Sequence, residues 1–153
     1  MIKSWSYKEE YKKNRKTILK AIDKTLLSGD LFFGKQLANF ENNFKKLNKS
    51  KYGIAVGSGT DALIIALKAL GVGRNINDEV ITVSNTAIPT AAAIKSAGAK
   101  PIFVDVGDDY LINPLEIKRA INKNTKAIIP VHLYGQPCKM DDIIKIAKKF
   151  KLK

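Results

Sequence analysis

The chain has 153 residues, enough for one domain or a piece of a larger one, and 45% of them are hydrophobic in regularly spaced runs, as in a globular, ordered protein. A single cysteine, Cys138, excludes an intrachain disulfide; a single histidine, His132, leaves a zinc site short of ligands; no apolar run reaches the ~18 residues of a membrane span. The net charge of +13 comes from 24 lysines and three arginines spread along every predicted helix, which describes a solvated surface with some attraction for acidic ligands, not a face that reads nucleic acid.

The opening MIKSWSYKEEYKKNRK has no apolar core behind its charges, so no secretory signal is read there and a cytoplasmic setting is expected. Tyr11, Ile18, Leu19, Ile22 and Leu26 then lie on one helical stripe over 8–27, and Ser28-Gly29-Asp30 stops it. Past Gly34, the residues Leu37, Phe40, Phe44 and Leu47 mark a second amphipathic helix that ends near Asn48. From there short apolar strands alternate with helices: strand 52–56 and helix 60–70, strand 79–83 and helix 88–97, strand 101–104 and helix 114–122, then strand 127–131 and a last helix carrying Met140, Ile143, Ile144, Ala147 and Phe150. Asn113-Pro114 with Glu116 is a strong helix start: a cap, a proline in the first turn and an acid at the positive end. This alternation predicts an α/β fold, a three-layer α/β/α arrangement around a mostly parallel sheet.

The stretch AVGSGTDALIIAL, residues 55–67, combines a strand end, a glycine turn and a helix start. Backbone N–H groups converge at such a turn and offer an anion site, with Ser58 and Thr60 adding hydroxyls; Thr60 or Asp61 could equally serve only to cap the helix. Gly57, Gly59 and Ala62 fit the loose dinucleotide fingerprint, but a ribose-binding acid should follow the second strand, and the sequence there is Ser84-Asn85-Thr86. The dinucleotide reading is therefore disfavoured, which leaves a lone phosphate or a helix cap that binds nothing.

Four stretches carry a family resemblance: SGDLFFGKQLANFENNF, VGSGTDALIIALKALGVG, DEVITVSNTAIPTAAAIKSAGAKPIFVDV and INKNTKAIIPVHLYGQPCKMDDI. In this order, over about residues 25–153, they resemble the DegT/StrS-type sugar aminotransferases of pyridoxal-phosphate fold type I. The resemblance implies the N-terminal part of the large domain of such an enzyme, with 1–50 a helical segment and 51–153 the first, incomplete part of the cofactor-binding domain. It implies pyridoxal 5'-phosphate as cofactor, a nucleotide-linked keto sugar and an amino acid donor such as glutamate as substrates, and a homodimer with active sites at its interface. Neither nucleic acid nor membrane is implied as a partner.

By the same resemblance, Ser58, Gly59, Thr60 and Asp61 hold the cofactor phosphate, chiefly through backbone N–H groups and the Thr60 hydroxyl. The Asp61 carboxylate then turns away or caps the helix. Ala87 stands where many relatives carry a ring-stacking aromatic, and is a candidate cofactor contact. Phe32 and Phe33 lie where relatives contact substrate, while their own pattern also suits stapling the first helix to the core. His132, Tyr134 and Gln136 follow a strand at the sheet end where ligands gather; His132 is expected to be structural, and Cys138 is given no role. No lysine here matches the family's Schiff-base lysine, and the aspartate for the ring nitrogen is absent too. The chain stops after a helix, where a strand is expected, so an N-terminal fragment that does not turn over by itself is anticipated. A lysine-less sugar dehydratase of the same fold and a non-catalytic remnant are the alternatives.

Overall fold

The computed structural model describes residues 6–153, so the start of the charged N-terminal stretch lies outside the described residues. Two compact units divide between Ala55 and Val56. The first holds α1 (Lys8–Ser28) and α2 (Lys35–Leu47). Gly29 ends α1 in the left-handed region, at φ 73°, with its N–H on the Leu26 carbonyl, which is the stop expected at Ser28-Gly29-Asp30. Phe40 and Phe44, one turn apart on α2, stack at 5.7 Å between ring centroids.

Residues 52–56 do not form the expected strand. The Ala55 N–H donates to the Glu41 carboxylate of α2 at 2.8 Å, and Gly53 lies so close to the Glu41 carbonyl that a Cβ there would sit 2.7 Å from it. The segment is held against α2 and, among the described residues, pairs with no strand. Phe32 and Phe33 correct a second expectation: they are 86% and 93% exposed, so neither staples α1 to a core.

The second unit contains α3 (Gly59–Ala69), β1 (Glu79–Val83), α4 (Ile88–Ala97), β2 (Lys100–Val104), α5 (Pro114–Ala120), β3 (Thr125–Ile128) and α6 (Met140–Phe150). The three strands form an all-parallel sheet in the order β2-β1-β3. β3 starts two residues earlier than its apolar run and ends at Ile128. The Ile129 N–H still reaches the Ile81 carbonyl at 2.8 Å, and beyond it pairing ceases. On the outer side of β3, Lys153 donates to the Lys126 carbonyl and accepts from the Ile128 N–H, both at 2.9 Å.

Alternation along the strands divides the core. Val80 of β1 and Ala127 of β3 face Leu67, Val72, Ile94 and Ala97 of the α3–α4 layer. Ile81, Val83 and Ile128 face Ile117 of α5 and Ile143 and Ile146 of α6. These two clusters make the three-layer sandwich. Full burial of a side chain such as Ile81, Ile94 or Ile117 stabilises by about 1.5–3 kcal/mol. A helix cap contributes only ~1 kcal/mol. The unit's stability therefore rests mainly on the clusters.

Candidate functional site: a glycine turn at the strand C-terminal edge

Topology fixes where the glycine turn lies. α3 leads into the start of β1, and its last turn, through Leu67, together with Val72 just beyond it, packs with Val80 and with Ala97 at the end of α4. The helix thus runs antiparallel to the sheet, and its N-terminus stands at the C-terminal edge of the strands. α4 begins at that edge too, directly after Ser84–Ala87. Two helix N-termini with their partial positive charge therefore share the edge where α/β sheets take ligands.

Ser58 is the N-cap of α3, correcting the expectation of Thr60 or Asp61 in that role. Its Oγ accepts the Asp61 N–H at 3.1 Å and donates to Asp61 Oδ2 at 2.8 Å. The first bond is the usual side-chain cap; in the second Asp61 takes the Ser58 hydroxyl, not the Ser58 backbone N–H that a capping box would use. Two of the four site residues are thus tied to each other, and the Asp61 carboxylate is held on the Ser58 hydroxyl. The N–H groups of Gly59 and Thr60, in the first turn, have no carbonyl within the helix to bond. A Cβ built on Gly59 would meet nothing within 4 Å, so the turn is open on that side, whereas one on Gly57 would lie 3.2 Å from Asp61 Oδ2.

The other strand-end loops complete the edge. Ala87 is exposed at the N-cap of α4 with extended backbone and offers no side-chain cap; Thr86 and Thr90 share a hydroxyl hydrogen bond of 2.8 Å beside it. The Asn85 amide donates to the Tyr110 carbonyl at 3.3 Å, tying the loop after β1 to the loop after β2. Asp109 of that second loop accepts the Leu111 N–H at 3.1 Å and lies 3.4 Å from Lys139 Nζ. The Leu111 N–H above all, and then Lys139, hold the Asp109 carboxyl below the usual carboxylate range.

His132 and Cys138 frame the loop after β3. The Cys138 N–H donates to His132 Nδ1 at 3.0 Å and the thiol donates to the Val131 carbonyl at 3.2 Å, so His132 has the structural part expected of it. Burial pushes the Cys138 thiol pKa up. Between these anchors the chain turns through Tyr134 (φ 52°) and Gly135 (φ 84°), closed by the Gln136 N–H on the Leu133 carbonyl at 3.0 Å. Two successive positive φ angles are the pattern of a type I′ turn, whose first central place usually takes Asn or Gly. An ordinary L-residue in the left-handed region costs roughly 1–2 kcal/mol. Tyr134 adopts it while 100% exposed. No local sequence signal beyond Gly135 announces this turn. The S-x-x-D spacing of Ser58 and Asp61, by contrast, is visible in the sequence.

Phe32 and Phe33 belong to the first unit, and Phe33 also has a positive φ of 52°. Ser58, Gly59, Thr60, Asp61 and Ala87 all fall in the second unit, at the strand C-terminal edge. Among the described residues no cluster of His, Cys, Asp or Glu could hold a metal ion, and no helix is long and apolar enough to cross a membrane.

The profile of the DegT/DnrJ/EryC1/StrS aminotransferase family matches residues 12–153. A dTDP-3-amino-3,4,6-trideoxy-alpha-D-glucose transaminase from Micromonospora megalomicea subsp. nigra is 45% identical over 150 residues, which is 97% of this chain and 40% of that protein. The crystal structure of S. venezuelae DesV in complex with a ketimine intermediate superposes with a TM-score of 0.91 at 36% identity, covering 96% of this chain and 39% of DesV. NtdA from Bacillus subtilis with bound cofactor PMP gives a TM-score of 0.88 at 39% identity, over 92% of this chain and 32% of NtdA. The chain spans about 40% of the length of the curated relative it matches.

Proposed function

Since the chain belongs to the DegT/DnrJ/EryC1/StrS aminotransferase family, we infer that its glycine turn is the phosphate cup of a pyridoxal-phosphate-dependent sugar aminotransferase. The observation that carries this is the state of residues 57–61. Gly59 and Thr60 present first-turn N–H groups, the Gly59 side is open, and the Asp61 carboxylate is bound to the Ser58 hydroxyl. A phosphate dianion fits such a cup; a turn whose amides were already spent would not accept it.

In this assignment Gly59 and Thr60 donate N–H groups to the phosphate, and the Thr60 hydroxyl donates a further bond. Ser58 and Asp61 fix the turn by their mutual hydrogen bonds. Ala87 lies alongside the cofactor at the start of α4, and Phe32 and Phe33 contact substrate. When bound, the cofactor supplies an electron sink through which an amino group passes between an amino acid and a keto sugar. This chain's residues anchor its phosphate end; the covalent lysine and the acid for the ring nitrogen are assigned to no residue here. Residues 51–153 are the first part of the cofactor-binding domain, preceded by the helical segment 1–50. The complete enzyme is a cytoplasmic homodimer that aminates a nucleotide-linked keto sugar, with glutamate as donor, for amino-sugar or surface-polysaccharide synthesis.

The test is made on the protein produced from its complete coding sequence. It should transfer the amino group of glutamate to a keto nucleotide-sugar only with cofactor present, and Thr60→Ala should weaken cofactor retention about tenfold, the worth of one hydrogen bond to a charged group. Transfer that is independent of cofactor, or undiminished retention in Thr60→Ala, would overturn the assignment.

A further inference from the structure

Five residues other than glycine have positive φ among the described residues: Phe33, Lys49, Tyr110, Tyr134 and Lys151. Lys151 directly follows α6 and Lys49 follows the C-cap Asn48 of α2, places where left-handed residues are ordinary. Within the second unit, that leaves two tyrosines, both exposed, on the loops after β2 and β3. Those loops are joined by the Asp109–Lys139 contact, at the same sheet edge as the glycine turn. Tyr134 is the sharper case. Its turn is held on both sides by the His132–Cys138 and Gln136–Leu133 bonds, so the backbone is fixed while the phenol meets no packing that would favour tyrosine over asparagine. A left-handed residue without packing of its own, on a hydrogen-bonded loop at a ligand edge, points to a role for its side chain outside the fold.

We propose that Tyr134 is a substrate-positioning residue whose ring stacks on the planar base of a nucleotide-linked substrate, with Tyr110 on the adjoining loop flanking it. A flat aromatic face on a fixed turn suits a base because every base has a π-face. This rests on the functional assignment above, but concerns the nucleotide end of the substrate and not the cofactor.

The protein from its complete coding sequence is titrated with thymidine, uridine and guanosine diphosphates, and separately with pyridoxamine phosphate, as wild type, Tyr134→Asn and Tyr134→Phe, with melting temperatures for each. Stacking on an aromatic side chain contributes ~1–3 kcal/mol per base, so Tyr134→Asn should bind the preferred nucleotide about 5- to 150-fold more weakly. It should retain pyridoxamine phosphate and melt no lower than wild type, since Asn suits the turn, and Tyr134→Phe should keep the nucleotide affinity. Unchanged nucleotide affinity in Tyr134→Asn, a lower melting temperature in it, or a wild type that binds pyridoxamine phosphate but no nucleotide would each overturn the proposal. A wild type that binds nucleotide through Tyr134 but no pyridoxamine phosphate would sustain it while refuting the cofactor assignment.

Discussion

Ser58 and Asp61 bind each other in both directions, hydroxyl to carboxylate at 2.8 Å and backbone N–H to hydroxyl at 3.1 Å. The pair closes the first turn of α3 and keeps a negative side chain bonded beside the two amides proposed to receive a phosphate. Ser58→Ala removes the cap and releases the carboxylate. Unfolding in urea should show a loss of about 1 kcal/mol with an unchanged slope, and cofactor phosphate should bind more weakly. A variant as stable as wild type would mean that the clasp contributes nothing to the turn.

Two glycines separate fold from site. At Gly73, with φ 82°, an added Cβ would lie 2.0 Å from the Ala97 carbonyl oxygen, where the turn after α3 presses on the end of α4. Gly73→Ala should destabilise by ~3 kcal/mol or more, since backbone must move in addition to the left-handed strain. At Gly59 the same methyl meets nothing within 4 Å, so Gly59→Ala should change the melting temperature little. Thermal denaturation of the two variants side by side decides this; equal losses would refute it.

Cys138 should be inert to thiol reagents in the folded chain at pH 8, and reactive once denaturant is added. Burial raises its pKa above the ordinary 9.0. Because the folded value is the higher one, the thiol's contribution to stability is complete below pH 9.0 and declines as pH rises through the folded value. His132→Ala leaves the Cys138 N–H without its acceptor, which should cost ~1–3 kcal/mol and speed the thiol reaction. A thiol in His132→Ala as slow as in wild type would show that Nδ1 does not hold this loop.

Asp109 runs the other way. Its folded pKa is below the ordinary 3.8, so its contribution is present above pH 3.8 and is lost as pH falls through the lower folded value. The Leu111 N–H is the leading cause and Lys139 a lesser one, so Lys139→Ala should raise the carboxyl titration midpoint only in part. Carbon-detected NMR titration reads this directly; a full return to 3.8 would assign the whole effect to the lysine.

Much of this fold is legible in the sequence because its signals are local. Apolar spacing in α1 to α6 and caps such as Gly29 and Asn113, whose Oδ1 accepts the Leu115 N–H at 2.9 Å, act within a few residues. Residues 52–56 read as a strand for the same local reason, yet a strand exists only by pairing, and the Ala55 N–H bonds Glu41 instead. The exposure of Phe32 and Phe33 is equally a matter of what surrounds them, which spacing does not encode. At the site, the glycines and hydroxyls raise the expectation of an anion turn, and the open amides of Gly59 and Thr60 are what the structure adds to it. The partner of Asp61 required geometry, because Ser58, Thr60 and Asp61 are all competent caps. The left-handed Tyr134 and the Asp109–Lys139 tie, 30 positions apart, carried no sequence signal.

The most direct test of the phosphate cup compares pyridoxamine phosphate with pyridoxamine, which lacks only the phosphate, as ligands of the protein from its complete coding sequence, in wild type and Gly59→Ala. Each hydrogen bond to a charged group contributes ~1.5–3 kcal/mol, so two amides and a hydroxyl should give wild type a preference for the phosphorylated ligand of at least about 1,000-fold. In Gly59→Ala, where the added methyl occupies the open side of the turn, that preference should fall by about tenfold or more while the melting temperature holds. An equal preference in both proteins would contradict the account, because the phosphate would then be held somewhere other than residues 57–61.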